Sequence, residues 1–229
     1  MGFLKKIFRN VFRESTPNHT SSSFEMLDEE DLASHLKISR YGEFKLTDAV
    51  RPSYDLQVVP RRGYRHDIYK KGEESASVPV IMASASSEQL FDLFIDLLDP
   101  LGTNVDVVLE TSHNRQGQEH VDLYREHIDM PVLKSVLYDY EDLLLNDGCC
   151  GIAVLNPEVP MEVQFDEHKL IFAYGRELSA FEEILKGYNI SCDDEIKFIT
   201  EAEHVHSSSE KYIDQFEELK TYLGMDAYA

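Results

Sequence analysis

The stretch VIMASASSEQLFDLFIDLLDPLGTNVDVVLETSH, residues 80–113, carries a complete strand, helix and strand pattern. Alternating apolar residues at its two ends are typical of strands, and apolar residues at every third or fourth position between them are typical of a helix. The serines of the range Ser84 to Ser87 offer N-cap hydroxyls for that helix, and Pro100 with Gly102 ends it. The stretch therefore predicts one strand–helix–strand unit.

A second stretch, residues 171–204, repeats this apolar pattern at an offset of 91, the distance from His113 to His204. Two such units in one sheet, each with the usual right-handed crossover, predict an α/β or α+β fold. Its mixed sheet, built from two βαβ-like units and covered by helices, would have a ferredoxin-like tendency. Four apolar side chains of the two helices are expected to be buried against this sheet: Leu90, Phe94, Phe181 and Leu185.

Apolar periodicity elsewhere in the chain predicts the remaining elements. Residues 112–129 form a polar, histidine-rich region without a clear period. We expect helices at 25–36, 131–146 and 208–223, strands at 54–59, 149–155 and 195–202, and a hairpin formed by 161–165 and 168–174.

The N-terminal region is predicted to be separate from the main domain. Residues 1–14 place apolar side chains on one helical face and four basic side chains elsewhere, which is typical of a cationic amphipathic helix. The polar run that follows, up to residue 23, is typical of a flexible tether. Residues 24–75 are then an N-terminal extension with a basic loop, and residues 76–229 are the main α/β domain. The helix could contact a membrane surface weakly, dock on a protein partner or pack on its own domain.

Composition excludes several classes of function. The chain has 229 residues with 43 acidic and 22 basic side chains, and its net charge of −21 opposes binding to nucleic acid. Its 42% hydrophobic residues are enough for a real core. Cys149 and Cys150 are adjacent and Cys192 is remote, so neither a disulfide framework nor C-x-x-C spacing is present. We expect a cytoplasmic protein, because neither a signal peptide nor a membrane span is visible.

A basic segment, RRGYRHDIYKKG, stands out from the acidic chain. Arg61, Arg62, Arg65 and His66 could bind a phosphate or another anionic ligand. The alternative is a loop held against the acidic surface of the protein itself. We prefer this alternative, because no glycine-rich phosphate loop accompanies the charges.

A histidine-rich segment, EAEHVH, suggests a metal site. His204 and His206 alternate along an extended chain and therefore share a face, so His113, His204 and His206, with Glu203 as a ligand or base, could hold a metal. This site requires two strand ends to meet, as they do in an all-parallel sheet. A mixed sheet would separate them, so our preferred interpretation has no metal and no cofactor.

No motif of the common hydrolases, NTPases, dinucleotide enzymes or metalloproteases is present, and we assign no catalytic residue. The composition and tethered helix favour a non-enzymatic cytoplasmic interaction or regulatory module with a protein partner, and a homodimer remains open. One alternative is a small metal-assisted hydrolase that uses the His and Glu cluster. Another is an anionic-ligand sensor that uses the basic loop.

Overall fold

A computed structural model of the chain describes residues 22–25, 27–70, 77–113 and 121–225. The amphipathic helix predicted for residues 1–14, and the tether as far as residue 21, lie outside these ranges. In the described part, the fold is α+β, with six helices and eleven strands. The helices are α1 Glu29–Leu36, α2 Ser87–Leu97, α3 Met130–Asp139, α4 Glu141–Asn146, α5 Ser179–Gly187 and α6 Glu210–Tyr222.

The strands form one large sheet and two small ones. The large sheet uses β4 Gly63–Tyr69, β5 Val78–Ser84, β6 Asn104–Thr111, β7 Val121–Asp129, β8 Cys150–Leu155, β9 Glu162–Phe165 and β10 Ile171–Tyr174. Two short pairs accompany it: β1 Arg40–Tyr41 with β2 Phe44–Lys45, and β3 Val50–Pro52 with β11 His204–His206.

The large sheet has the order β4-β5-β10-β9-β8-β6-β7, and every neighbouring pair is antiparallel. The predicted mixed sheet is therefore wrong. Most strands pair with the strand next to them in sequence, which produces antiparallel hairpins. The unit β5–α2–β6 does cross over, and β5 and β6 run in the same direction, but three other strands lie between them.

The first predicted unit is present and the second is not. Residues 171–204 supply β10 and α5, but the strand expected at 195–202 is replaced by a short 3₁₀ helix, Ile199–Glu201. Ile196 and Phe198 instead pack on the outer face of the sheet with Phe172 and Tyr174. The 91-residue repeat therefore does not describe two equivalent units, and the ferredoxin-like tendency is not confirmed.

Two strands lie where polar loops were expected. The basic segment forms β4, and the polar region before α3 contains β7; both are edge strands of the large sheet. Edge strands tolerate charged side chains, because one of their long sides and one of their faces meet water. The strand expected at 54–59 is absent from the described chain, and the helix expected at 131–146 is divided at Tyr140.

The main core lies between the inner face of the sheet and helices α2 to α6. The four side chains predicted to be buried are 0–2% exposed, which confirms that prediction: Leu90, Phe94, Phe181 and Leu185. Within the described ranges, no helix combines the length and the apolar composition that crossing a membrane requires.

Candidate metal centre

Three histidine rings meet beside the β9–β10 hairpin. His168 comes from the turn of that hairpin, and His204 and His206 come from β11. The ring centroids are 4.7–5.0 Å apart in all three pairs. One ring nitrogen of each histidine lies within 4.8 Å of one ring nitrogen of both others. This spacing is close enough for the three rings to share one ion.

The hairpin turn that carries His168 is fixed by its own hydrogen bonds. The buried Asp166 carboxylate accepts from the Leu170 backbone N–H at 2.7 Å, and the Asp166 carbonyl accepts from Lys169 N–H at 3.1 Å. Lys169 adopts a left-handed conformation with φ of 63°, which closes the turn. Its ammonium donates to the Cys150 carbonyl at 3.0 Å. The position of His168 is therefore held from both sides of the turn.

The strand that carries His204 and His206 is held by β3 and by Gly148. Side chains at alternate positions of a strand point to the same face, which brings the two rings together. His204 lies opposite Pro52 and His206 opposite Val50 in the antiparallel register. The Gly148 N–H donates to the Ser207 carbonyl at 2.8 Å, which fixes the end of β11.

Each ring has its Nδ1 atom bound to an oxygen. His168 Nδ1 donates to Asp166 Oδ2 at 2.7 Å, His204 Nδ1 to the Ala202 carbonyl at 2.8 Å, and His206 Nδ1 to the Gly148 carbonyl at 2.7 Å. A carbonyl oxygen can only accept, so Nδ1 of His204 and His206 must carry the proton. In the neutral ring, Nε2 then has the lone pair that can bind a metal. Such oxygen partners orient the ring of metal-binding histidines in general.

The electrostatic environment keeps two of the rings neutral at pH 7. Burial, with the neighbouring His168 and His204, lowers the pKa of His206 to about 4. Burial also lowers the pKa of His204. Burial acts in the same direction on His168, but the Asp166 carboxylate outweighs it and raises the pKa of that ring. Neutral imidazole is the form that coordinates metal, so His204 and His206 are ready to act as ligands.

Gly148 lies beside this centre at a position where adding a side chain should destabilise the fold. A Cβ atom at Gly148 would collide with the Ala49 carbonyl oxygen and lie 2.9 Å from the Ser207 carbonyl oxygen. We expect Gly148→Ala to lower the free energy of unfolding by about 1–3 kcal/mol, because the backbone must shift to accept the methyl group. Chemical denaturation measures this effect. The matched control is Gly187→Ala at the end of α5, where a Cβ meets no atom within 4 Å. An equally stable Gly148→Ala variant would contradict the packing described for this contact.

The structure brings together only part of the predicted metal set. His204 and His206 lie in the cluster, whereas His113 Nε2 is 2.8 Å from Asp147 Oδ2, and Glu203 accepts from the Ser23 backbone N–H at 2.7 Å. His168 was missed because the hairpin turn was interpreted only as a connection. The available signal was the Asp166-x-His168 spacing, which places a carboxylate beside an imidazole.

Three side chains of the basic segment contact acidic residues, and each contacts a different one. Arg61 pairs with Asp193, Arg65 with Glu201 and His66 with Glu182, each at 2.6 Å. Arg65 also lies over the Phe198 ring, 5.0 Å from its centroid. Arg62 is exposed beside a shallow cleft that Glu43 and Glu88 also line. The four predicted anion-binding side chains therefore do not converge on one point.

No protein-family model matches this chain, and no curated protein or solved structure gives a significant match.

Proposed function

We propose that this protein binds a divalent transition-metal ion of the zinc type through His168, His204 and His206. The observation that carries the proposal is the convergence of three rings whose Nδ1 atoms are all engaged by oxygens. Buried polar groups are hydrogen-bonded in proteins generally, so the three hydrogen bonds support a metal centre only together with the convergence of the rings. In a metal centre, such oxygen partners orient the ligand rings.

The ligand set agrees with zinc chemistry. Zinc binds histidine nitrogen at about 2.0–2.1 Å in a tetrahedron, so two ligand nitrogens lie roughly 3.4 Å apart. One ring nitrogen of each histidine lies within 4.8 Å of one ring nitrogen of both others, so the rings must move closer together to reach that spacing. Asp166 is almost fully buried beside His168, and a bound dication would balance its negative charge. Imidazole also suits copper, iron and nickel, so the titration must compare ions.

Metal-assisted hydrolysis is the chemistry that such a centre supports. Three protein ligands leave a fourth position for water, and the ion lowers the pKa of that water enough to make it a nucleophile near neutral pH. His168 also lines a surface cleft together with Thr47, Arg61 and Lys197. Arg61 is already paired with Asp193, so Lys197 is the basic side chain of this cleft that would favour a substrate carrying negative charge.

The other functions expected from the sequence receive less support. The interaction module depends on residues 1–14, which lie outside the described residues, and it stays a prediction. The anionic-ligand sensor also stays a prediction, and three of its four side chains already contact acidic groups.

The test is a titration of the full, chelator-treated protein with Zn²⁺, Ni²⁺ and Cu²⁺. We expect Zn²⁺ to raise the thermal midpoint, because an ion at 100 times its dissociation constant stabilises the fold by about 2.7 kcal/mol. The variant His204→Ala/His206→Ala should lose one bound ion per chain in elemental analysis. Asp166→Asn should weaken binding by roughly 10–100-fold, the usual effect of removing an oxygen partner of a ligand.

A matched control uses an exposed histidine. His127 is 69% exposed at its side chain and has a φ of 55°, which asparagine tolerates, so His127→Asn should bind the ion like the original protein. The proposal fails if the protein binds no ion, or if the double variant keeps the same number of ions with the same affinity.

A further inference from the structure

A second cluster of metal-ligating side chains lies at β4, an edge strand of the large sheet. His66 Nδ1 is 3.7 Å from Cys192 Sγ, and Cys192 Sγ is 3.6 Å from Asp194 Oδ1. The three ligand atoms all lie within 4.8 Å of one another. All three side chains are exposed, so an ion and its water ligands can reach them.

The fold holds Cys192 beside His66 by backbone contacts. Residues 191–193 pair with the free side of β4: Tyr64 N–H donates to the Ser191 carbonyl at 3.1 Å, and Asp193 N–H donates to the Tyr64 carbonyl at 2.8 Å. A Cβ at Gly63 would lie 3.6 Å from the Ser191 carbonyl oxygen, an ordinary contact, so the hydrogen bonds of Tyr64 are what hold this loop beside β4. The cluster is therefore part of a fixed backbone arrangement.

The separations agree with a tetrahedral zinc site. Zinc binds thiolate at about 2.3 Å and nitrogen or oxygen at about 2.0–2.2 Å, so tetrahedral sulfur–nitrogen and sulfur–oxygen edges are roughly 3.6 Å. The observed distances are 3.7 and 3.6 Å. The remaining edge, between a ring nitrogen of His66 and a carboxylate oxygen of Asp194, lies within 4.8 Å, so side-chain rotation must shorten it for the three groups to surround an ion.

The hydrogen-bond partner of His66 also favours metal binding. His66 Nε2 lies 2.6 Å from Glu182 Oε1. An ionised carboxylate can only accept, so Nε2 carries the proton and the neutral ring presents the Nδ1 lone pair towards Cys192. A carboxylate on the far nitrogen is the usual outer partner of a metal-binding histidine.

The same three groups could be interpreted as a thiol nucleophile, a base and an orienting carboxylate. The surroundings oppose this interpretation. Cys192 Sγ lies 3.6 Å from Asp194 Oδ1, and this neighbouring carboxylate disfavours the free thiolate that a nucleophile requires. A bound cation reverses that effect, because it stabilises the thiolate and uses the nearby carboxylates.

We propose that His66, Cys192 and Asp194 form a second, exposed metal site for a thiophilic divalent cation such as Zn²⁺, with water completing the coordination. It is independent of the three-histidine centre, since the two share no ligand. Binding would join β4 to the loop at residues 191–194.

Cobalt distinguishes the two sites, because only this one offers sulfur. We expect Co²⁺ added to the full protein to produce a thiolate-to-cobalt charge-transfer band in the near ultraviolet. Cys192→Ser should abolish the band, and Glu182→Gln should weaken the binding that produces it by roughly 10–100-fold. The variant His204→Ala/His206→Ala should keep the band whatever the fate of the other centre.

The buried Cys149 supplies the matched thiol control, and Cys149→Ala should keep the band. Circular dichroism of each variant verifies that it is folded, and the surface position of Cys192 makes serine tolerable. A second readout is alkylation of Cys192, which Zn²⁺ should slow at least tenfold. The proposal is overturned if saturating Co²⁺ gives no band, if the band survives in Cys192→Ser, or if Zn²⁺ leaves alkylation unchanged.

Discussion

Phe94→Ala is expected to lower the free energy of unfolding by about 3–5 kcal/mol, a large part of the stability of an ordinary domain. Phe94 is 0% exposed and comes from α2, the helix that joins β5 to β6. Its ring lies 5.1 Å from the ring of Phe165 on β9. Removing it leaves a cavity between the helix and the centre of the sheet, which neighbouring side chains can fill only in part.

Urea denaturation of Phe94→Ala and of the original protein measures this loss in the free energy of unfolding. Val132→Ala is the matched control, because Val132 is an apolar helix residue that is 53% exposed, and its truncation should change stability by less than about 0.5 kcal/mol. A Phe94→Ala variant as stable as Val132→Ala would show that α2 does not form the centre of the core.

Glu110→Gln is expected to stabilise the protein at pH 8, on the order of 4 kcal/mol. Burial on β6, together with the charges of Asp122, Asp166 and Glu167, raises the pKa of Glu110 from 4.5 to about 8. Between these two values the folded protein holds a proton that the unfolded chain has released. The stability of the original protein therefore falls as the pH rises through this window, whereas glutamine does not ionise.

Measuring the stability of Glu110→Gln and of the original protein at several pH values provides a control. The two proteins should have nearly equal stability at pH 4.5, and their difference should grow towards pH 8. Glu158→Gln, at an exposed turn residue, should change stability by less than about 0.5 kcal/mol at either pH. A constant difference between Glu110→Gln and the original protein at all pH values would show that Glu110 is ionised in the fold throughout.

The sequence allowed the prediction of amphipathic helices and of one strongly apolar hairpin. Helix α2, the β9–β10 hairpin and helix α6 follow regular apolar patterns and are present in the structure. The edge strands β4 and β7 were not predicted, since their exposed residues include many charges and break the alternation. The predicted mixed sheet was wrong for a different reason: apolar spacing identifies a strand but does not determine its neighbours or their direction in the sheet.

The candidate centre was predictable only in part. Alternation along an extended chain placed His204 and His206 on one face, and the structure agrees. The third ring, His168, comes from another part of the chain, and its approach depends on β11 pairing with β3 instead of joining the large sheet. Such a long-range contact has no counterpart in local periodicity. The outer oxygens from Ala202 and Gly148 are backbone atoms, so no residue type signals them.

The separate pairing of β11 with β3 has a dynamic consequence. A two-stranded sheet is only marginally stable by itself, so this pair should open at a lower free energy than the seven-stranded sheet. His204 and His206 would leave with the pair, while His168 would stay on the large sheet. An ion shared by the three rings would then connect the β3–β11 pair to the large sheet. The ion would be released when the β3–β11 pair separates from the large sheet. The rate of ion exchange would therefore measure how often this pair opens.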